Sequence, residues 1–139
     1  MSILVTDSGF STDDWLGQIE EYDESIDSGP AVAIDLPSHV DPSSLTNHLD
    51  TLQLIRVDFP SFSDGRGFTV ARLIRLMGYQ GRLRAVGHLI ADQYAMARRS
   101  GFDEVEISAE LAARQPAHQW LFRADWRAHD YQTRLSQSI

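Results

Sequence analysis

The chain has 139 residues, of which 42% are apolar and none is cysteine, and it carries 20 acids against 12 basic residues. This fits one domain with a core, and it excludes a disulfide framework, a thiolate nucleophile, a thiolate zinc site and a Cys-ligated iron–sulfur cluster. All basic residues are arginine, so a lysine Schiff base, a pyridoxal phosphate anchor and a P-loop are excluded too.

Charge is distributed unevenly. Residues 1–60 hold twelve acids against Arg56 alone, whereas residues 61–139 hold eight acids and eleven arginines. A net charge of −8 with no basic stripe argues against nucleic acid as a partner. There is no apolar run of about eighteen residues, and the start Met1-Ser2-Ile3-Leu4 lacks the features of a signal peptide. The expectation is a soluble cytoplasmic protein with no membrane partner.

Ser2 to Thr6 reads as a first strand. Ser11 is then an N-cap for a helix whose apolar positions Trp15, Ile19, Tyr22 and Ile26 recur at helical spacing, with Asp13 and Asp14 in its first turn. In that helix the acids Glu20, Glu21, Asp23 and Glu24 form a solvated face. Ser28-Gly29-Pro30 stops it, and Ala31 to Leu36 is the second strand, closed by Pro37. Asp41-Pro42 opens a short helix carrying Leu45, His48, Leu49 and Leu52. Gln53 to Phe59 is the third strand. The turn Asp64-Gly65-Arg66-Gly67 leads into a helix from Phe68 to Met77, with Gly78 as its left-handed C-cap.

Arg82 to Val86 is the fourth strand. A helix with Leu89, Ile90, Tyr94 and Met96 follows and ends at Gly101, and Glu104 to Ile107 is the fifth strand. Ser108 caps one more helix up to Gln115. Beyond Pro116 the segment rich in Trp, Phe, Arg and His is either a final helix or a docking arm over residues 117–139, in a chain read as one domain over 1–139.

Strands alternating with helices predict a mostly parallel, five-stranded βα-repeat sheet. The alternation within each strand predicts more. Val32, Ile34, Leu36; Ile55, Val57, Phe59; Leu83, Ala85; and Val105, Ile107 form an apolar set, while Ala31, Ala33, Asp35; Leu54, Arg56, Asp58; Arg82, Arg84, Val86; and Glu104, Glu106, Ser108 fall on the other side. Helices then pack on one face, half-barrel-like, with a small doubly wound sheet as the alternative. The charged face is left to solvent, to a ligand or to self-association, which gives a homo-oligomer.

Ligands of parallel α/β sheets sit at the carboxyl ends of strands, where Asp35, Asp58, the Asp64–Gly67 turn and Gly87-His88 fall. Free amides of Gly65, Arg66 and Gly67 at a helix start, with the side chains of Arg66, Arg72, Arg84 and Gln93, suit a small oxyanion such as sulfite, sulfate or phosphate. Helix capping by Asp64 and a tight turn at the glycines form the alternative explanation of the same motif. Asp64 and His88 are the candidate acid–base pair. The acids and His88 show no diagnostic metal spacing, so no metal is expected.

Four pieces in order also carry a resemblance: Phe59-Pro60-x-Phe62-x-Asp64-Gly65-Arg66-Gly67, Ala71-Arg72-Leu73-x-Arg75, Gly81-x-Leu83-Arg84-Ala85-Val86-Gly87, and Asp92-Gln93. Together they resemble an uncharacterised proteobacterial family whose members are usually encoded beside assimilatory sulfite reductase and labelled as oxidoreductases of sulfite reduction. This chain departs from it at Ser61, commonly lysine there, and at His88, commonly aspartate. The resemblance implies a context of sulfur assimilation. With no GxGxxG, flavin or haem signature, no cofactor is expected. The expected role is an accessory protein of sulfite reduction that binds the reductase or a sulfur oxyanion. The alternatives are a half-barrel enzyme using Asp64 and His88, or a structural homodimer.

Overall fold

The computed structural model describes residues 2–22 and 32–126. Seven strands form one open sheet: β1 (Ser2–Thr6), β2 (Gly9–Thr12), β3 (Glu20–Glu21), β4 (Ala33–Leu36), β5 (Leu54–Phe59), β6 (Arg82–Gly87) and β7 (Glu104–Ser108), in the spatial order β2-β1-β7-β6-β5-β4-β3. From β3 to β7 each strand pairs in parallel with the next in sequence, while β1 runs antiparallel between β7 and β2. All five expected strands are present. Of the two additional ones, β3 and the second half of β2 lie where a helix was expected, from Ser11 onward.

That difference has a local cause. Gly9 has φ +111°, a conformation that favours glycine, and it turns the chain back so that Phe10 pairs with Val5 and packs against the core. The pairing of β2 with β1, with Phe10 partly buried against the core, takes the place of the helical spacing of Trp15, Ile19 and Tyr22. The remainder of the expected helix, with Ile26, lies outside the described residues, as does Ala31 of the second strand.

Four helices follow the strands: α1 (Arg66–Leu76), α2 (Tyr94–Ser100), α3 (Ala109–Arg114) and α4 (Ala117–Leu121), with 3-10 turns at Pro42–Leu45 and Ala91–Gln93. Their ends follow cap chemistry. Asp41 accepts from Ser43 N at 2.9 Å and Ser108 Oγ from Leu111 N at 3.1 Å, while Gly101 closes α2 in the left-handed region.

One core cluster gathers the expected apolar strand set, except Val32, which precedes β4 and is 39% exposed, together with Val70, Ala71 and Ile74 of α1, Tyr94 and Ala97 of α2, Leu111 of α3 and Trp120 of α4. All four helices thus contribute buried side chains to one cluster with the strands. Trp120, 1% exposed, donates through Nε1 to Gln115 O at 2.8 Å and packs edge-on to Tyr94. The first part of the expected docking arm, up to Trp126, therefore lies on the domain itself; residues 127–139 lie outside the described residues.

Candidate functional site

The face opposite the core carries a cross-strand ion network. Neighbouring registers place Arg56 beside both Asp35 and Arg84, and Arg84 beside Glu104. Two arginines side by side repel, and Glu106 offsets this by accepting from Arg56 at 3.1 Å and from Arg84 at 2.7 Å. Asp35 takes Arg56 in a fork, with contacts of 2.5 and 2.8 Å. Glu104 takes Arg82 and Arg84, while Asp13 and Asp14, on the segment that follows β2, reach Arg84 and Arg82 across the face. Arg84 is 0% exposed as a result. Its Nη2 and Trp15 Nε1 are the two buried side-chain nitrogens without an acceptor among the described residues.

Beyond this network, towards the carboxyl ends of β3 to β6, the same face opens into a cleft of about 330 Å³. Asp35 and Asp58 line it, as expected for residues at strand ends, together with Arg56, Glu21 and Tyr22. Sequence reasoning assigned Glu21 to a solvated helix face. Its place in the cleft depends on β3 pairing with β4, in a register set by residues far away.

The acid-Gly-Arg-Gly turn lies at the end of β5 and opens α1, but its groups are engaged with one another. Asp64 accepts from Arg66 N at 3.1 Å, from Nε at 2.9 Å and from Nη2 at 2.6 Å. These hydrogen bonds from the Arg66 side chain and backbone, with the guanidinium charge, hold the Asp64 carboxyl down at about 2. Gly67 has a packing role: a Cβ there would stand 2.4 Å from the Phe59 ring, which is flanked by Phe68 and Phe102. Gly65 precedes α1 without a left-handed backbone.

Arg84 projects into the ion network, away from this turn. Gln93 is a staple, accepting from Ile90 N at 2.9 Å and donating to Phe62 O at 3.0 Å. His88 is exposed, its Nδ1 3.3 Å from Phe59 O and its ring edge-on to Phe62, and no hydrogen bond joins it to Asp64. Arg72 is exposed on α1 with no ion-pair partner among the described residues. The six expected anion ligands are therefore divided between the turn, the ion network, the Phe62 staple and the outer surface of α1. No group of three or more His, Asp or Glu among the described residues is placed to hold a metal ion.

An open, mostly parallel α/β sheet with a cleft at its strand ends defines the general class. The chain belongs to the family described as "Bacterial protein of unknown function (DUF934)", whose model matches residues 31–138. The matched span begins after β1, β2 and β3, so the hairpin and the segment crossing the charged face lie outside it. A search of curated proteins found no match, nor did a search of solved structures.

Proposed function

We propose that the protein is an accessory protein of assimilatory sulfite reduction that docks on the reductase through the outer face of α1. The sulfur context comes from the family resemblance of the motifs around Asp64–Gly67 and Gly81–Gly87. The observation that carries the docking mode is the outward stripe Thr69, Arg72, Leu73 and Leu76, at spacings of one helical turn, with Leu73 41% and Leu76 77% exposed. A helix that points leucines at solvent with an unpaired arginine beside them suits a partner groove that is apolar and rimmed by acids. In architecture we read the sequential parallel strands, with helices packed on one side, as half-barrel-like.

Binding of a free sulfur oxyanion is the weaker arm of the same reading, because the Arg66 fork is already filled by Asp64. Self-association through the charged sheet face competes with ion pairs that Arg56, Arg82 and Arg84 make within one chain.

The test is a titration of the purified protein with sulfite reductase, alongside sulfite, sulfate and phosphate. The docking reading expects saturable reductase binding, weakened about a hundredfold by Leu76→Asp, since burying an unpaired charge in an apolar contact costs several kcal/mol. No reductase binding, or equal binding by Leu76→Asp, removes it. Saturable sulfite binding that Arg66→Ala abolishes would favour the oxyanion arm instead.

A further inference from the structure

We infer that the cleft at the carboxyl ends of β3 to β6 is a binding site for an organic cation, a guanidinium or ammonium group on a short aliphatic stem. The inference does not depend on docking through α1, which uses the opposite side of the sheet.

The charge balance of the cleft points to a donor. Its lining contains the carboxylates of Glu21, Asp35 and Asp58 against the single guanidinium of Arg56. All three Arg56 nitrogens already donate, to Asp35 and to Glu106. The Tyr22 hydroxyl donates to Ser44 Oγ at 2.8 Å, and Tyr22 N to Asp35 O at 2.9 Å. Each of these donor atoms is already engaged within the chain. The acceptors are not: Asp58 is exposed and neither Asp58 nor Glu21 has a hydrogen-bond or ion-pair partner among the described residues. An anion entering here meets unpaired carboxylates, while a cation meets two acceptors that have no partner among the described residues.

Size and shape narrow the class. The carboxylates line one cleft, yet they do not converge closely enough to form a metal-binding group. An ion as small as a divalent metal could not touch them together, whereas a planar guanidinium or a substituted ammonium can bridge wider separations. Leu36, Pro37 and Val86 supply apolar wall, and the Tyr22 ring adds a surface on which a cation stacks favourably. A volume of about 330 Å³ admits a group the size of an arginine side chain.

The same chemistry could arrive as a free small molecule or as an arginine side chain of a protein partner, and the experiment separates the two. The full chain, labelled with ¹⁵N, is titrated with n-butylguanidinium, with N-acetylarginine methylamide and with sodium sulfate. Both cations should shift the amides of Tyr22, Asp58 and Val86 saturably if a partner's arginine is the occupant; n-butylguanidinium alone should do so if it is a free small molecule. In Asp58→Asn the affinity should fall about tenfold, the value of one charge-assisted hydrogen bond, while the remote exposed acid variant Asp50→Asn should bind as the parent does. The inference fails if neither cation gives saturable shifts, if Asp58→Asn binds unchanged, or if sulfate shifts the same amides with higher affinity.

Discussion

Asp64 and Arg66 show how the same residues can be read as a ligand site or as a closed local structure. The motif places an acid two residues before an arginine at a helix start, and in the fold the pair satisfies itself. The sign of its pH dependence follows. A carboxyl held at about 2 in the folded chain, against its ordinary 3.8, contributes stability that is fully present above 3.8 and is lost as pH falls through 2. The prediction is that the Asp64 side-chain carbon titrates near 2 by NMR and that Arg66→Ala returns it towards 3.8. A midpoint unchanged in Arg66→Ala would mean that the arginine is free for other partners. The competing tight-turn explanation of the glycines is sharpened too. Gly67 is required by the Phe59 ring against it, a contact between residues on β5 and α1 that no local pattern in the turn encodes.

At the scale of elements, caps and periodicity gave the boundaries of α1 and α3 and the end of α2 to within a few residues because those signals are local, whereas Leu89 and Ile90, expected in the second helix, precede it. The N-terminal segment went the other way. Its amphipathic spacing was real, but a strand can bury Phe10 against the core, and the strand won. This segment also anchors the C-terminal end of the described chain. Asp7, in the β1–β2 turn, accepts from Tyr94 Oη at 2.5 Å, from Arg98 Nη2 at 3.2 Å and from Trp126 Nε1 at 3.3 Å, with the Arg98 guanidinium 4.9 Å from the Trp126 ring centroid. Burial raises the Asp7 carboxyl pKa, but its bonds to Tyr94, Arg98 and Trp126 and the charge of Arg98 outweigh that and lower it. Asp7→Ala should lower stability by about 1–2 kcal/mol and speed hydrogen exchange at the Trp126 indole. If exchange there is unchanged, Asp7 does not hold the C-terminal segment in place.

For the whole molecule, the decisive feature is a sheet with two unlike faces. One is covered by helices. The other buries Arg84, Glu104 and Glu106 under a segment from the acidic N-terminal part of the chain. Removing one member of a buried ionic network leaves its partners charged and unpaired, so Arg84→Met should cost about 3–5 kcal/mol in urea unfolding. A loss below about 1 kcal/mol would show that solvent reaches the network and that the face is available to partners.

Among the described residues no helix is long and apolar enough to cross a membrane. By itself, the sequence determined the parallel βα order and the parity of β4, β5, β6 and β7, since alternation at period two is a property of consecutive residues and survives any packing. It also placed Asp35 and Asp58 at the strand ends where the cleft lies. Tertiary structure alone decided which charges are free. Arg66, Arg84 and Gln93 look equivalent as donors along the chain, yet each is taken by a different partner, and Arg84 finds Glu104 and Glu106 twenty or more residues away. Ion pairing is governed by distance in space, so only the fold could divide the arginines that stabilise this protein from the groups it offers to a ligand.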